Sequence, residues 1–230
     1  MNKSELQGFD VSRFSAAVIG CGGLGCSVAV HLAGAGIGEL YLIDFDTVSQ
    51  SNLNRQFLYT KKDCEKSKVL TAEKRIKAYA PDTMVYGISD KITKTEDLDF
   101  ALNCDIIFSA VDSNETRKII TDFCTRNKIP LVIGGINGFS GYVYLYVPGK
   151  SPCPECAGLL GNDTRHIVSV STTAGIIGAM QVETGINHLT ELTEDESGIL
   201  RIYDFGEISK LKIKSQKNCG ICGVNKNVRT

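Results

Sequence analysis

The sequence predicts an α/β fold, a doubly wound, mostly parallel sheet with an antiparallel C-terminal strand portion. Three observations predict it. From residue 15 to 136, short apolar runs alternate with helix-period segments, which is the pattern of βαβ units. A glycine loop, IGCGGLG (19–25), joins the first apolar run to the first helical one. Beyond Gly138 the rhythm changes, and GYVYLYVP (141–148) alternates in the period of an antiparallel strand.

SAAVIG (15–20) reads as a buried strand, and an apolar helix follows from about Leu24 to Ala35. GELYLID (38–44) is a second strand. A polar connection leads to KSKVLTAEKRIKAYA (66–80), which has helical periodicity and stops at Pro81. TMVYGIS (83–89) is a third strand, and Thr95 to Leu102 a short helix. CDIIFSA (104–110) is a fourth strand, and SNETRKIITDFCTRN (113–127) is its helix, with Ser113 placed to cap it. PLVIGGI (130–136) is a fifth. After 141–148 comes a polar stretch, Ala157 to Thr172, then a helix from about Ala174 to Leu192. ILRIYDF (199–205) and ISKLKIK (208–214) form a terminal hairpin. No repeat interrupts this order, so residues 1–230 read as one domain. Its nucleotide-binding half spans about 13–136, and its second half about 137–230, with a mobile crossover at 157–172.

Composition narrows the class. The chain has 230 residues, 43% hydrophobic and 22% charged, with a net charge of −1. That balance is ordinary for a globular protein and argues against a nucleic-acid or membrane surface. Charges interrupt every apolar run short of the ~18 residues a membrane helix needs. The opening MNKSELQGFD lacks the apolar core of a signal peptide, so a cytoplasmic protein is expected. Five of the nine cysteines (Cys21, Cys26, Cys64, Cys104 and Cys124) lie among apolar or ordinary helical residues and read as small buried thiols.

The glycine loop is the first chemical signal. Gly20 permits a tight turn, Gly22 and Gly23 let a ligand approach the backbone, and Gly25 allows close helix–strand packing. Helix amides then face a phosphate. With Asp44 about twenty residues on, holding a ribose, this Rossmann-like pattern equally suits NAD, FAD or ATP.

IDFDTVSQSNLNRQF (43–57) decides among them. Nicotinamide chemistry orients rings and has no use for a strong cation behind the ribose acid. Attack at an α-phosphorus does, because charge builds on phosphoryl oxygens and on leaving pyrophosphate. Arg55 lies in the polar connection, Lys68 in the first turn of the next helix, and Asp112 at the end of the fourth strand. Arginine offers a flat fork to phosphate, lysine a point charge, and aspartate a hard oxygen for Mg2+. These three are the candidate catalytic residues.

Taken together, GxGGxG, IDFDTVSQSNLNRQF, KSK and AVDSNETR resemble the ThiF/MoeB/HesA family, bacterial relatives of ubiquitin-activating enzymes, over roughly residues 13 to 223. The resemblance implies ATP-dependent adenylation of the C-terminal glycine of a small ubiquitin-fold carrier protein ending in Gly-Gly. It implies that Asp44 holds the ribose, that Asn52, Arg55 and Lys68 hold the phosphates, that Gln56 supports them, and that Asp112 binds Mg2+. Asp46 and Ser113 join the nucleotide-binding set by matching the motif, as do Gly20, Gly22, Gly23 and Gly25. A homodimer is also implied. The carrier's carboxylate is its own nucleophile, which suits a chain with three histidines, none of them near these motifs.

SPCPECAG (151–158) and NCGICG (218–223) place Cys153, Cys156, Cys219 and Cys222 in two C-x-x-C pairs, with 62 residues between Cys156 and Cys219. Two such knuckles make a closed tetrahedral Zn2+ site. It would clamp the chain's last residues to the strand-rich half.

Two departures stand out. Sulfur-transferring relatives carry a cysteine just before the helix that follows the crossover, where this chain has Ser171, and no cysteine lies between Cys156 and Cys219. Adenylation without covalent carriage is therefore expected, the adenylate passing to a separate sulfur donor or to an amine. The second departure is at the start, where Arg13 is the sole arginine ahead of the first strand. Relatives use an arginine from a longer leading helix to reach the partner subunit's site. Three rival functions are an NAD/FAD oxidoreductase, which leaves SNLNRQ unexplained, an enzyme activating a tRNA base, which the near-zero charge disfavours, and a non-enzymatic scaffold.

Overall fold

The computed structural model describes residues 10–161 and 170–223. Expectations placed on residues 1–9 and on residues 162–169 of the crossover lie outside the described residues.

Along the chain the elements are β1 (Ser15–Ile19), α1 (Gly23–Ala35), β2 (Glu39–Ile43), α2 (Lys68–Tyr79), β3 (Met84–Ile88), β4 (Ile106–Ser109), α3 (Asn114–Asn127), β5 (Leu131–Asn137), β6 (Ser140–Tyr146), α4 (Ser171–Thr190), β7 (Ile199–Asp204) and β8 (Glu207–Lys212). Among the described residues they form one eight-stranded sheet, ordered β3-β2-β1-β4-β5-β6-β7-β8. The first five strands of that order pair in parallel, and β6, β7 and β8 each pair antiparallel. The expected mixed sheet is observed. Among the differences, α4 begins at Ser171 rather than Ala174, β4 is shorter than expected at Ile106–Ser109, and the short helix after β3 is a 3-10 segment, Thr95–Ala101.

Alternation along β1 builds a core on each face. Ala16 and Val18 pack with Leu24, Val28 and Leu32 of α1 and with Ile177 of α4. Ala17 and Ile19 pack on the other face with Ile120 and Phe123 of α3. The same division continues in β4, where Ile106 and Phe108 join the first cluster and Ile107 the second. β1 and β4 are neighbours, and the connections from β1 and β4 leave to opposite faces. Their carboxyl ends thus diverge at a topological switch point, where open α/β sheets bind ligands.

The polar connection from Asp44 to Ser67 is more ordered than its composition suggests. An isolated bridge pairs Thr47 with Ser67, and Val48 and Glu65/Lys66 exchange backbone hydrogen bonds of 2.8 and 2.9 Å. Two 3-10 turns lie within it, Gln50–Asn52 and Lys61–Asp63. Asp63 accepts from the Thr60 amide and hydroxyl and pairs with Arg75 of α2. The Thr60 hydroxyl foremost, with its amide and Arg75, holds the Asp63 carboxyl down at about 2.

Four of the five scattered thiols are buried as expected, but Cys64 is half-exposed because it closes a surface 3-10 turn. Burial raises Cys104 to about 12, and Cys26 likewise. Among the described residues no helix is long and apolar enough to cross a membrane.

At the start of α1 there is no room for a side chain at Gly25, where a Cβ would fall 1.8 Å from the Gly20 carbonyl oxygen. Alanine gains ~1 kcal/mol of helix propensity over glycine, but forcing this turn apart costs ~1–3 kcal/mol or more. Gly25→Ala is therefore expected to lower the urea midpoint of unfolding; an unchanged or raised midpoint contradicts the packing account.

Candidate nucleotide site and cysteine cluster

A cleft of about 600 Å³ opens at the carboxyl ends of β1 to β5. Its floor is the glycine loop. Gly20 has φ +96°, the left-handed region, and a Cβ there would sit 2.8 Å from the Ala110 carbonyl oxygen. Both the turn and the close approach to β4 thus require glycine. Gly22 caps α1 without any side-chain hydrogen bond to the first turn, so that turn's amides remain available to an anion. Gly20, Gly22 and Gly23 line the cleft. Gly25 is turned inward against Gly20, where it serves the close packing of α1 on β1.

Asp44 stands one residue beyond β2. Its Oδ2 accepts the Cys21 amide at 2.7 Å and its Oδ1 the Asp46 amide at 2.8 Å. Burial pushes its carboxyl above the usual range, against the pull of those two amides and of Lys68. Asp46 in turn takes the Lys68 ammonium at 2.8 Å, and the Lys68 amide donates to the Asp46 carbonyl at 3.0 Å. Lys68 is the first residue of α2, capped by Ser67, and is 5% exposed. Asp46, which the motif groups with the nucleotide-binding set, is thus the partner of the buried cation.

Asn52, Arg55 and Gln56 come from the 3-10 turn Gln50–Asn52 and the residues after it, and all three line the cleft. Asn52 Oδ1 accepts the Ser49 hydroxyl at 2.9 Å. Arg55 donates to Asn54 Oδ1 at 3.0 Å and makes no ion pair among the described residues. Its stem lies over Gly23, where a Cβ would meet Arg55 Cγ at 3.3 Å. Gln56 is 3% exposed, and its Oε1 has no partner among the described residues.

The far wall is the β4–α3 loop. β4 ends at Ser109, so Asp112 is not on the strand but three residues past it, exposed and lining the cleft. Ser113 caps α3 as expected, its Oγ accepting the Thr116 amide at 3.3 Å, and it lines the cleft too. Residue-by-residue reasoning missed Arg117, which lines the same wall while 8% exposed. Its signal was present as the last residue of AVDSNETR, one helical turn past the Ser113 cap. Also missed were Phe45 and Lys91 at the mouth, where the ammonium lies 5.3 Å from the ring centroid.

Away from the cleft, Cys153, Cys156, Cys219 and Cys222 converge, with all four sulfurs within 4.8 Å of one another. The Cys153–Cys219 and Cys156–Cys222 sulfurs are 3.4 Å apart, and Cys153–Cys156 3.9 Å. Tetrahedral zinc thiolates, with Zn–S of ~2.3 Å, place sulfurs about 3.8 Å apart. Backbone amides point at the cluster, that of Gln216 donating to Cys156 Sγ at 3.3 Å. Burial resists the Cys219 thiolate, yet amide hydrogen bonds from Cys222 and Ile221 bring that thiol to about 7. Four converging sulfurs with knuckle amides match the donor set of a structural zinc.

Of the two departures, Ser171 is the exposed first residue of α4. Three residues on, Ala174 touches the glycine loop, its Cβ 3.5 Å from where a Gly23 Cβ would stand. Arg13 lies at the amino end of β1, opposite the cleft, with its guanidinium 4.7 Å from the Phe14 ring centroid. It takes no part in its own chain's site.

Comparison with known proteins agrees with this geometry. The chain is 31% identical over 216 residues to the sulfur carrier protein ThiS adenylyltransferase of Escherichia coli strain K12, covering 90% of this chain and 84% of that one. It is 30% identical over 217 residues to the adenylyltransferase and sulfurtransferase MOCS3 of Drosophila yakuba, of which it spans about half the length, 48%. Among solved structures, Escherichia coli MccB with succinimide superposes with a TM-score of 0.82 at 25% identity, covering 93% of this chain and 68% of that one. A protein-family model described as the ThiF family matches residues 5–223, and on that match the chain belongs to the ThiF family.

Proposed function

We propose that this chain is an ATP-dependent adenylyltransferase that activates the C-terminal glycine carboxylate of a small ubiquitin-fold carrier protein. The observation that carries this is the meeting, in one cleft, of a glycine loop, a ribose-type acid and cations of unlike commitment. ATP fits the donor set. The first turn of α1 has no side-chain cap, Arg55 has no acid of its own among the described residues, and the buried Gln56 amide oxygen beside the loop lacks a partner. Its names being those of adenylyltransferases, the pair of sequence relatives supports the same class.

In this reading Asp44 holds the ribose hydroxyls with the lone pairs its two amide bonds leave over. Asn52, Arg55 and Lys68 hold the phosphates, Gln56 supports them, and Ser113, which caps α3, joins the nucleotide-binding set. Mg2+, held by Asp112, would supply charge neutralisation on the phosphoryl oxygens and the leaving pyrophosphate. The carrier's carboxylate oxygen forms a bond to the α-phosphorus while the bond to the bridging oxygen breaks, and that electron pair departs with pyrophosphate. No proton moves, so no general base is needed. The chain lacks cysteine from 157 to 218, so the acyl-adenylate passes to a separate sulfur donor or an amine. The enzyme acts as a single domain in a homodimer, and the four-cysteine cluster holds a structural Zn2+.

With ATP, Mg2+ and a carrier ending in Gly-Gly, the protein is expected to catalyse carrier-dependent exchange of labelled pyrophosphate into ATP. Arg55→Ala should lower that exchange about 10²–10³-fold, the scale for losing one group that stabilises transition-state charge, with carrier binding retained. Exchange unchanged in Arg55→Ala, or no exchange with any carrier by folded, metal-loaded protein, refutes the assignment. Metal analysis should find one zinc per chain. Cys222→Ala should lose it together with several degrees of melting temperature, since structural zinc contributes folding energy directly; a zinc-free protein of unchanged stability would contradict the clamp.

A further inference from the structure

Arg117 is a buried cation that the proposed chemistry leaves without a task. It springs from the first turn of α3, is 8% exposed, and makes no ion pair among the described residues. Its fork reaches back instead. Nη2 donates to the Val111 carbonyl at 3.0 Å and to the Gly134 carbonyl at 3.4 Å, while Nη1 donates to the Tyr142 hydroxyl at 3.1 Å and to Asn114 Oδ1 at 3.4 Å. Nε has no partner among the described residues. One side chain therefore joins the β4–α3 loop, β5 and β6.

The loop needs such a tie. Its start is held by the Ala110 amide on Ile19 O at 2.9 Å, and its end by the Ser113 carbonyl, which takes the Arg117 amide at 3.0 Å. Between those anchors the bond from Arg117 to Val111 O fixes the peptide that leads into Asp112, a residue exposed to the cleft. A guanidinium can span carbonyls on two different segments because its donors lie in a rigid plane; an ammonium concentrates its donors at one point. Burying a cation without a counter-ion costs several kcal/mol, so a neutral residue would serve mere packing better.

We propose that Arg117 is a positioning residue for the divalent cation: it clamps the Asp112 loop to β5 so that the carboxylate stands preorganised to bind the metal. This rests on the nucleotide reading above. Residues that orient a metal ligand typically change metal affinity about 10–100-fold when lost.

Arg117→Lys keeps the charge and removes the fork. The Mg2+ concentration for half-maximal pyrophosphate exchange is expected to rise about 10–100-fold, with the rate recovering at saturating Mg2+. Calorimetry should show the same weakening of Mg2+-dependent ATP binding, without turnover. In the ligand-free protein, hydrogen exchange at the amides of residues 111–113 should quicken while β1 stays protected. Tyr142→Phe, which removes one of the four partners, should shift the Mg2+ dependence less and in the same direction, and it serves if Arg117→Lys does not fold. A fall in rate at every Mg2+ concentration with unchanged half-saturation overturns the positioning role. So does normal Mg2+ dependence in Tyr142→Phe when Arg117→Lys is unfolded. Asp112→Asn separates the two levels. If it abolishes the Mg2+ dependence while Arg117→Lys leaves it untouched, positioning alone fails; if Asp112→Asn itself changes nothing, the metal reading of Asp112 falls and takes the positioning role with it.

Discussion

Most of the cleft hangs on one carboxylate. Parallel pairing brings Ile19 of β1 opposite Ile43 of β2, and the Gly20 amide extends that ladder to Ile43 O at 2.9 Å. Asp44 is thereby set beside the turn that leaves β1, where it accepts the Cys21 amide with one oxygen and the Asp46 amide with the other. The first bond fixes the glycine loop and the second fixes the chain leaving β2. Because Asp46 is held by its own amide, its carboxylate is aimed at Lys68, and the neighbouring Thr47–Ser67 bridge brings the start of α2 to that place. A buried acid is normally pushed toward its neutral form. Here two amides and an ammonium pull against that push, and burial still leaves the Asp44 carboxyl raised on balance.

The cations of the cleft differ in how firmly they are already engaged, and this bears on which chemistry suits them. Lys68 is buried and paired with Asp46. Arg55 rests its stem on Gly23 and makes no ion pair among the described residues, so its fork is not already engaged by an acid. Arg117 is turned inward onto carbonyl oxygens. A hydride-transfer enzyme gains nothing from such a gradation. Phosphoryl chemistry does, because its catalysis consists almost wholly of positioning and charge stabilisation.

The fold was legible because its signals are local and redundant. β1, β2 and β4 are each followed by a helix-period segment, and Gly20, Gly22 and Gly25 mark the turn between β1 and its helix. The cysteine cluster was legible for a similar reason, since two C-x-x-C knuckles constrain their own geometry. The connection from Asp44 to Ser67 was harder. Its order comes from an isolated bridge between two residues twenty apart, Thr47 and Ser67, and from Arg75 of the following helix reaching Asp63 and Leu58 O. Neither contact has a periodic signature. Arg117 escaped for another reason: an arginine in a helix's first turn reads as solvated, and only the sheet order, which sets β5 beside β4, shows that it is buried. Cys64 failed in the opposite sense, because its apolar character says nothing about the surface turn it closes.

The two halves of the sheet meet the crossover at fixed points. On one side, the Cys153 and Cys156 knuckle is held by Tyr144, whose hydroxyl donates to Pro152 O at 2.6 Å, and the turn after it closes through the Leu159 amide on Pro154 O at 2.9 Å. Asn114, next to the Ser113 cap, donates to Gly161 O and so joins that turn to the Asp112 wall. On the other side, α4 is seated on α1 by Ser27, whose hydroxyl donates to Gly175 O at 3.0 Å, and Gly178 has no room for a Cβ against Ser27. The segment between them therefore departs from one wall of the cleft and returns beside the glycine loop. The first residue of α4 is Ser171, whose hydroxyl neither ionises near neutral pH nor forms a persulfide. The described framework thus ties the cysteine cluster, the Asp112 wall and the glycine loop together, and where α4 begins it presents a serine hydroxyl and not a thiol.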